Sequence, residues 1–227
     1  MPRRNVILAN DQIYHVFNKT IDGKNVFQKN ADLERTLTIF WYYRFISPSV
    51  PLSRYLTLPR KIRINYHNIL VETKQAVEVY SYCLMNNHFH LLLRQLSDKG
   101  ISNYLSNIQN SFTRYYNTKN DRKGALFLNQ FKAVRIENDE QLIHVSRYIH
   151  LNPLTGYLIK EKSSLSDYQP SSFFEYLGKS DEIYNISNPE FILGFFKNLQ
   201  DYKKFIYNRA EYQRELDRIK HLAFKDD

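Results

Sequence analysis

Leu84-Met85-Asn86-Asn87-His88-Phe89-His90-Leu91-Leu92-Leu93 is the stretch on which the fold turns. With Val77–Leu84 before it, two strand-like apolar runs flank the tight turn Met85-Asn86-Asn87, which reads as a β-hairpin. Side chains alternate faces along a strand, so His88 and His90 share one face while Phe89 points to the other. Two imidazoles side by side on a rigid strand can hold one metal ion. They can equally be a chance pair on an amphipathic strand, and spacing alone leaves both open.

Outward from the hairpin, Gln12 to Lys19 reads as a first strand, closed by the turn signal Asp22-Gly23. Ala31 to Phe45 reads as a helix, with Leu33, Leu37, Phe40 and Trp41 at helical spacing and Asn30 as its cap. Pro48 and Pro51 break that pattern, and Thr57-Leu58-Pro59 opens a second, basic helix to about Glu72. Ile101 to Thr118 keeps the helical period through Ile101, Leu105, Ile108, Phe112 and Tyr115. Phe131 to Ile136 alternates as a further strand. Asp139 to Asn152 is a helix stopped by Pro153, with Asp139 and Glu140 in the first turn where the dipole favours acids. Past Gly156 the segments shorten, and Asp201 to Leu222 reads as a last, highly charged helix.

The order β-α-(α)-β-β-α-β is the split βαβ pattern of an α+β, ferredoxin-like domain: an antiparallel sheet with helices on one face. The histidine pair falls on a central strand, and the opposite face is expected to be open. The expected division is a main domain over 1–158, with a basic insertion at 47–74, and a helical C-terminal extension over 159–227.

Composition bounds the partners. Of 227 residues, 43% are hydrophobic and 15% aromatic, enough for a packed core rather than a disordered chain. The formal charge of +9 points to nucleic acid, with a merely soluble basic surface as the bland alternative. No acidic residue occurs from Arg35 to Val71 or from Lys99 to Asn120. The single cysteine, Cys83, cannot form an internal disulfide and is compatible with a reducing compartment. No apolar stretch has the length of a transmembrane helix, and Val6 to Ala9 is too short for a signal peptide. A cytoplasmic protein with no membrane partner is expected.

The helix after the last strand raises the stakes for the histidines. His144, Tyr148 and Asn152 are spaced by four, so they form one stripe on one helix face. The stripe could be a solvated edge. If it faces the histidine strand, the pieces suit phosphoryl transfer: a divalent cation held by His88, His90 and the Asn152 carbonyl oxygen, with His144 in support. Such a cation acts as a Lewis acid on a phosphate. Tyr148 would be the nucleophile, its phenol needing a nearby cation or base because its free pKa is about 10. Two imidazoles suit Mn²⁺ or Zn²⁺, whereas Mg²⁺ prefers oxygen ligands.

These residues also resemble a known family. Tyr82-Cys83-Leu84-Met85-Asn86-Asn87-His88-Phe89-His90-Leu91-Leu92-Leu93 resembles the HUH signature of single-tyrosine transposases, those of the smallest insertion sequences and their REP-associated tyrosine transposase relatives. Arg147-Tyr148-Ile149-His150-Leu151-Asn152-Pro153 resembles the second signature, which carries the catalytic tyrosine. Tyr14-His15-Val16 with Asn18-Lys19, Gly124-Ala125-Leu126-Phe127, Phe131-Lys132-Ala133, and Ser171-Ser172 with Tyr176-Leu177-Gly178 resemble further family segments in the expected order. The resemblance implies a metal-dependent endonuclease and strand transferase that cleaves single-stranded DNA near hairpins through a covalent 5′-phosphotyrosine. It implies Mg²⁺ or Mn²⁺ on His88 and His90, with Asn152 as third ligand and Tyr148 as nucleophile. Asn86 stands where the family usually has Pro; asparagine tolerates turn conformations, so little effect on the site is expected beyond a looser hairpin.

Single strands are held by cations that track phosphates and by aromatics that stack bases. Arg54, Tyr55, Arg60, Lys61 and Arg63 are the first candidates, then Arg114, Tyr116, Lys119 and Lys132. Two further functions stay open: a domesticated hairpin DNA- or RNA-binding protein that does not cleave, and a metal-dependent hydrolase using water. The active unit is expected to be a monomer or a homodimer.

Overall fold

The computed structural model describes residues 6–180 and 185–208. Among them, β1 (Ile13–Lys19), β2 (Val77–Leu84), β3 (His88–Gln95) and β4 (Lys132–Arg135) form one antiparallel sheet in the order β2-β3-β1-β4. This is the α+β, ferredoxin-like arrangement expected, with β3 and its histidines in the centre.

Alternation along the central strands sorts their side chains. Tyr14 and Val16 of β1 join Phe89, Leu91 and Leu93 of β3 in a core closed by α1 (Asn30–Tyr43) and α4 (Gly100–Lys119). Phe40 of α1 meets Phe89 edge-on at 5.7 Å, and Phe112 of α4 meets Phe27 at 4.8 Å. Each such buried side chain contributes roughly 1.5–3 kcal/mol. Strand β2 changes parity midway. A bulge between Val79 and Ser81 keeps Val77, Val79, Tyr82 and Leu84 in this core, while Tyr80 and Cys83 turn to the other face.

That other face is only partly open, unlike the free face expected. Helix α5 (Asp139–Thr155) crosses it over β2 and β3, because Tyr80, Cys83 and Leu92 are apolar there and need cover. Beside α5, α6 (Phe173–Tyr176) and α7 (Pro189–Leu193) pack along β2, and α8 (Leu199–Tyr207) packs on α5, through Phe173, Tyr176, Ile192, Tyr202 and Ile206. The β1–β4 side keeps an accessible surface: Lys19 and Lys132 are exposed, Phe17 and His15 half-buried.

Two other departures have local causes. The basic helix expected over 57–72 is two helices, α2 (Leu52–Thr57) and α3 (Arg60–Val71). Leu58, between them, is extended at φ −65° and ψ 141°, as a residue before proline prefers. Helix α5 runs through Pro153 to Thr155 instead of stopping. Proline costs the helix one N–H there. The chain recovers at once, with Gly156 N donating to Asn152 O at 2.8 Å and Leu158 N to Pro153 O at 2.9 Å. Of the charged helix read over 201–222, α8 carries the beginning, and positions from 209 onward lie outside the described residues.

Candidate active site

Strand register assembles the first half of the site. On the face that α5 partly covers, Lys19 of β1 pairs with His88, Phe17 with His90, and His15 with Leu92, while Lys132 of β4 pairs with Phe17. His90 is 6% exposed and sits between two other imidazoles, 5.1 Å from His88 and 5.2 Å from His15, centroid to centroid. His15 Nε2 and His90 Nδ1 are hydrogen-bonded at 3.0 Å. His88 Nδ1 is bonded to Asn87 Oδ1 at 2.6 Å.

The turn before His88 is held by its backbone. Asn86 O accepts from Val26 N at 2.8 Å and Phe27 N at 3.0 Å, and Asn87 O accepts from Thr20 N at 2.8 Å. Residues 20–27 thus hold the hairpin turn by backbone bonds at the position where the family usually has proline.

Helix α5 brings the second half. The Tyr148 ring stands perpendicular to His90 at 5.5 Å and edge-on to His15 at 5.8 Å, so tyrosine and histidines of one chain converge. The back of α5 fixes that placement. Ser146 Oγ and Ser81 Oγ are 2.8 Å apart, and His150 bonds Ser172 Oγ through Nε2 and Tyr202 Oη through Nδ1, both at 2.7 Å. Ser172 in turn is tied to the backbone of Tyr82. Complete burial pushes the His150 pKa down to about 3, so its ring is neutral and structural at physiological pH.

Asn152 follows Tyr148 by one turn. Its Nδ2 donates to Tyr148 O at 3.0 Å, which turns Oδ1 to the other side as a candidate oxygen ligand. Gly156, at the end of α5, packs against Met85, so Asn152 lies toward the hairpin end of β3, where His88 begins. His144 has partners on α5 and α8. It accepts from Arg147 at 2.6 Å and packs on Phe205 of α8 at 5.5 Å, so its ring is also engaged on the side of α5 that meets α8.

Among the described residues no three His, Cys, Asp or Glu side chains converge as a metal cage. A cation here would be held by two imidazoles and an amide oxygen, with remaining positions left to phosphate or water. That donor set fits Mn²⁺, and Mg²⁺ where phosphate or water oxygens fill the remaining positions.

The expected nucleic-acid contacts divide. Arg54, Arg60 and Lys61 are exposed and Arg63 half-buried, but α2 and α3 pack outside α1, on the helical side of the sheet away from the histidines. Tyr55 is 1% exposed, wedged among Trp41, Tyr42 and Tyr66, and cannot stack a base. Lys119 spends its ammonium on buried Asp32 at 2.5 Å and on Tyr115 Oη, tying α4 to α1. Tyr116 packs on Phe112 and under Lys24, and Arg114 is exposed on α4. Lys132 lies on the histidine face. The sequence alone does not mark His15, Phe17 and Lys19 as site residues. Their alternation put them on one face of β1, but which face, and beside which residues, needed the register with β3.

Comparison with known proteins bears on the fold and the family. A solved structure described as the REP-associated tyrosine transposase bound to a REP hairpin superposes with a TM-score of 0.53 at 14% identity, covering 83% of this chain and 91% of that one. At that identity the likeness shows the fold. No curated protein matches the sequence. Residues 10–152, which carry all four strands, both histidines and Tyr148, match the family described as IS200-like transposases. The chain belongs to the IS200-like transposase family.

Proposed function

We propose that the protein is a metal-dependent endonuclease and strand transferase acting on single-stranded DNA near hairpins, with Tyr148 as nucleophile. The observation that carries this is the contact of Tyr148 with His90 in one chain, a nucleophile held against an imidazole pair suited to a cation. His88, His90 and the Asn152 amide oxygen would hold Mg²⁺ or Mn²⁺, which supplies Lewis-acid polarisation of the scissile phosphate. The Tyr148 oxygen gives up its proton and forms a bond to phosphorus. The P–O3′ bond breaks, the 3′ oxygen takes a proton, and the 5′ phosphate stays on the tyrosine. Bond energy is thereby kept for rejoining. Lys19 and Lys132, beside the histidine rows, would bind flanking phosphates, and Phe17 between them offers a ring to an unpaired base. The DNA hairpin held by the structural neighbour makes hairpin DNA the substrate class to try first.

Incubating the protein with labelled hairpin DNA carrying single-stranded flanks, in Mg²⁺ or Mn²⁺, should give a covalent adduct on a denaturing gel. Tyr148→Phe should abolish it while hairpin binding persists. Cleavage that survives Tyr148→Phe refutes the tyrosine mechanism, and binding without cleavage by the wild type marks a non-cleaving hairpin protein instead.

A further inference from the structure

Hydrogen-bond direction around the histidines fixes more than their positions. Gly23 O can only accept, so the 3.1 Å bond from Asn87 assigns Nδ2 to that side of the amide. Asn87 Oδ1 then faces His88 Nδ1 at 2.6 Å, and an amide oxygen can only accept. His88 Nδ1 therefore carries the hydrogen, and in the neutral ring Nε2 carries the lone pair. His90 is engaged through the same ring atom, with His15 Nε2 at 3.0 Å from its Nδ1. One of those two nitrogens donates. For His90 to present Nε2 as a ligand atom, its Nδ1 donates, and the His15 proton sits on Nδ1.

We propose that Asn87 and His15 are positioning residues, which set the tautomer and ring orientation of His88 and His90 so that both present Nε2 to one cation. The inference rests on the metal-holding role given to the pair above. Each partner comes from a different element, the hairpin turn and β1, and each is itself fixed. Asn87 is anchored by Gly23 O and, through its own carbonyl, by Thr20 N at 2.8 Å. His15 is held in the sheet between β3 and β4 by its register with Leu92 and Val134. A metal-binding imidazole commonly donates its second N–H to such an acceptor, and removing the acceptor weakens metal binding by about 10–100-fold.

The test uses the whole 227-residue chain without DNA. Mn²⁺ affinity is read from the electron paramagnetic resonance of free Mn²⁺, and histidine tautomers from ring ¹⁵N shifts in the metal-free protein. Asn87→Ala and His15→Ala should each weaken Mn²⁺ binding by about 10–100-fold. His15→Gln, whose amide oxygen can accept from His90, should recover most of the loss. The wild-type spectrum should show His88 protonated at Nδ1. Unchanged Mn²⁺ affinity in both alanine variants, or a His88 proton on Nε2, overturns the positioning roles while leaving the tyrosine chemistry standing. A wild type that takes up no Mn²⁺ overturns the metal site itself. Should an alanine variant fail to fold, the wild-type tautomer and His15→Gln still decide.

Discussion

His150 makes the attachment of α5 sensitive to acid. Its ring is wholly buried, its two nitrogens are bonded to Ser172 and Tyr202, and the rings of Phe173 and Tyr176 pack on it. Burial lowers its pKa from 6.5 to about 3 in the folded protein. Between those values the unfolded chain binds a proton that the folded chain does not, so stability rises with pH across that window. Stability from the neutral ring is complete above about pH 6.5 and is lost as pH falls toward 3. From pH 7.5 to pH 5.0 the difference is about 2 kcal/mol. His150→Gln keeps a polar side chain but cannot titrate. It should be less stable than wild type at pH 7.5, through loss of a buried hydrogen bond worth about 1 kcal/mol, and should lose about 2 kcal/mol less on going to pH 5.0. Urea unfolding at both pH values, followed by the fluorescence of the single tryptophan, Trp41, measures this directly. The difference between the two proteins cancels the contribution of the other histidines. If both lose the same stability between pH 7.5 and 5.0, His150 is not held neutral by the fold and the argument fails.

Other perturbations test other layers. Lys19→Ala and Lys132→Ala should each weaken single-strand binding and lower the slope of log K against log salt by about 0.7, measured by fluorescence anisotropy from low to moderate salt. Arg60→Ala, on the far side of the sheet, should leave binding of the single-stranded flank unchanged. Glu175 is buried and accepts from Tyr82 Oη at 2.9 Å, Ile186 N at 3.0 Å, Ser187 N at 2.8 Å and the Ser187 hydroxyl. Glu175→Ala strands those donors and should cost about 3–5 kcal/mol in chemical denaturation. At Gly100 an added Cβ would overlap the Ala76 carbonyl oxygen, so Gly100→Ala should displace the start of α4 and lower the melting temperature by several degrees, seen by calorimetry.

Much of the fold was legible because its signals are local. Alternation and helical period located the four strands and the helices that flank them, and the element order implied the sheet order. What failed did so where a neighbour in space intervened. Tyr55 looks in sequence like a base-stacking residue among arginines, but it fills a gap against Trp41 and Tyr42. Lys119 looks like a phosphate contact, but buried Asp32, 87 residues away, claims its charge. Proline at 153 reads as a stop, yet one missing N–H near the helix end is a small loss beside the apolar face that Leu151 and Leu154 bury.

By itself the sequence placed His88 and His90 on one face of a central strand, and Tyr148 one turn before Asn152, because periods of 2 and 3.6 are properties of the backbone. Whether the histidine strand meets the tyrosine helix depends on which face α5 covers and where along β2 it lies. That depends on the bulge after Val79 and on the buried bonds from Ser146 and His150. The partners of the imidazoles were further out of reach, since Asn87 acts through Gly23 and His15 through strand register. Only the tertiary structure brings a residue of β1 to 3.0 Å from one of β3, because cross-strand contact is set by register rather than by distance along the chain.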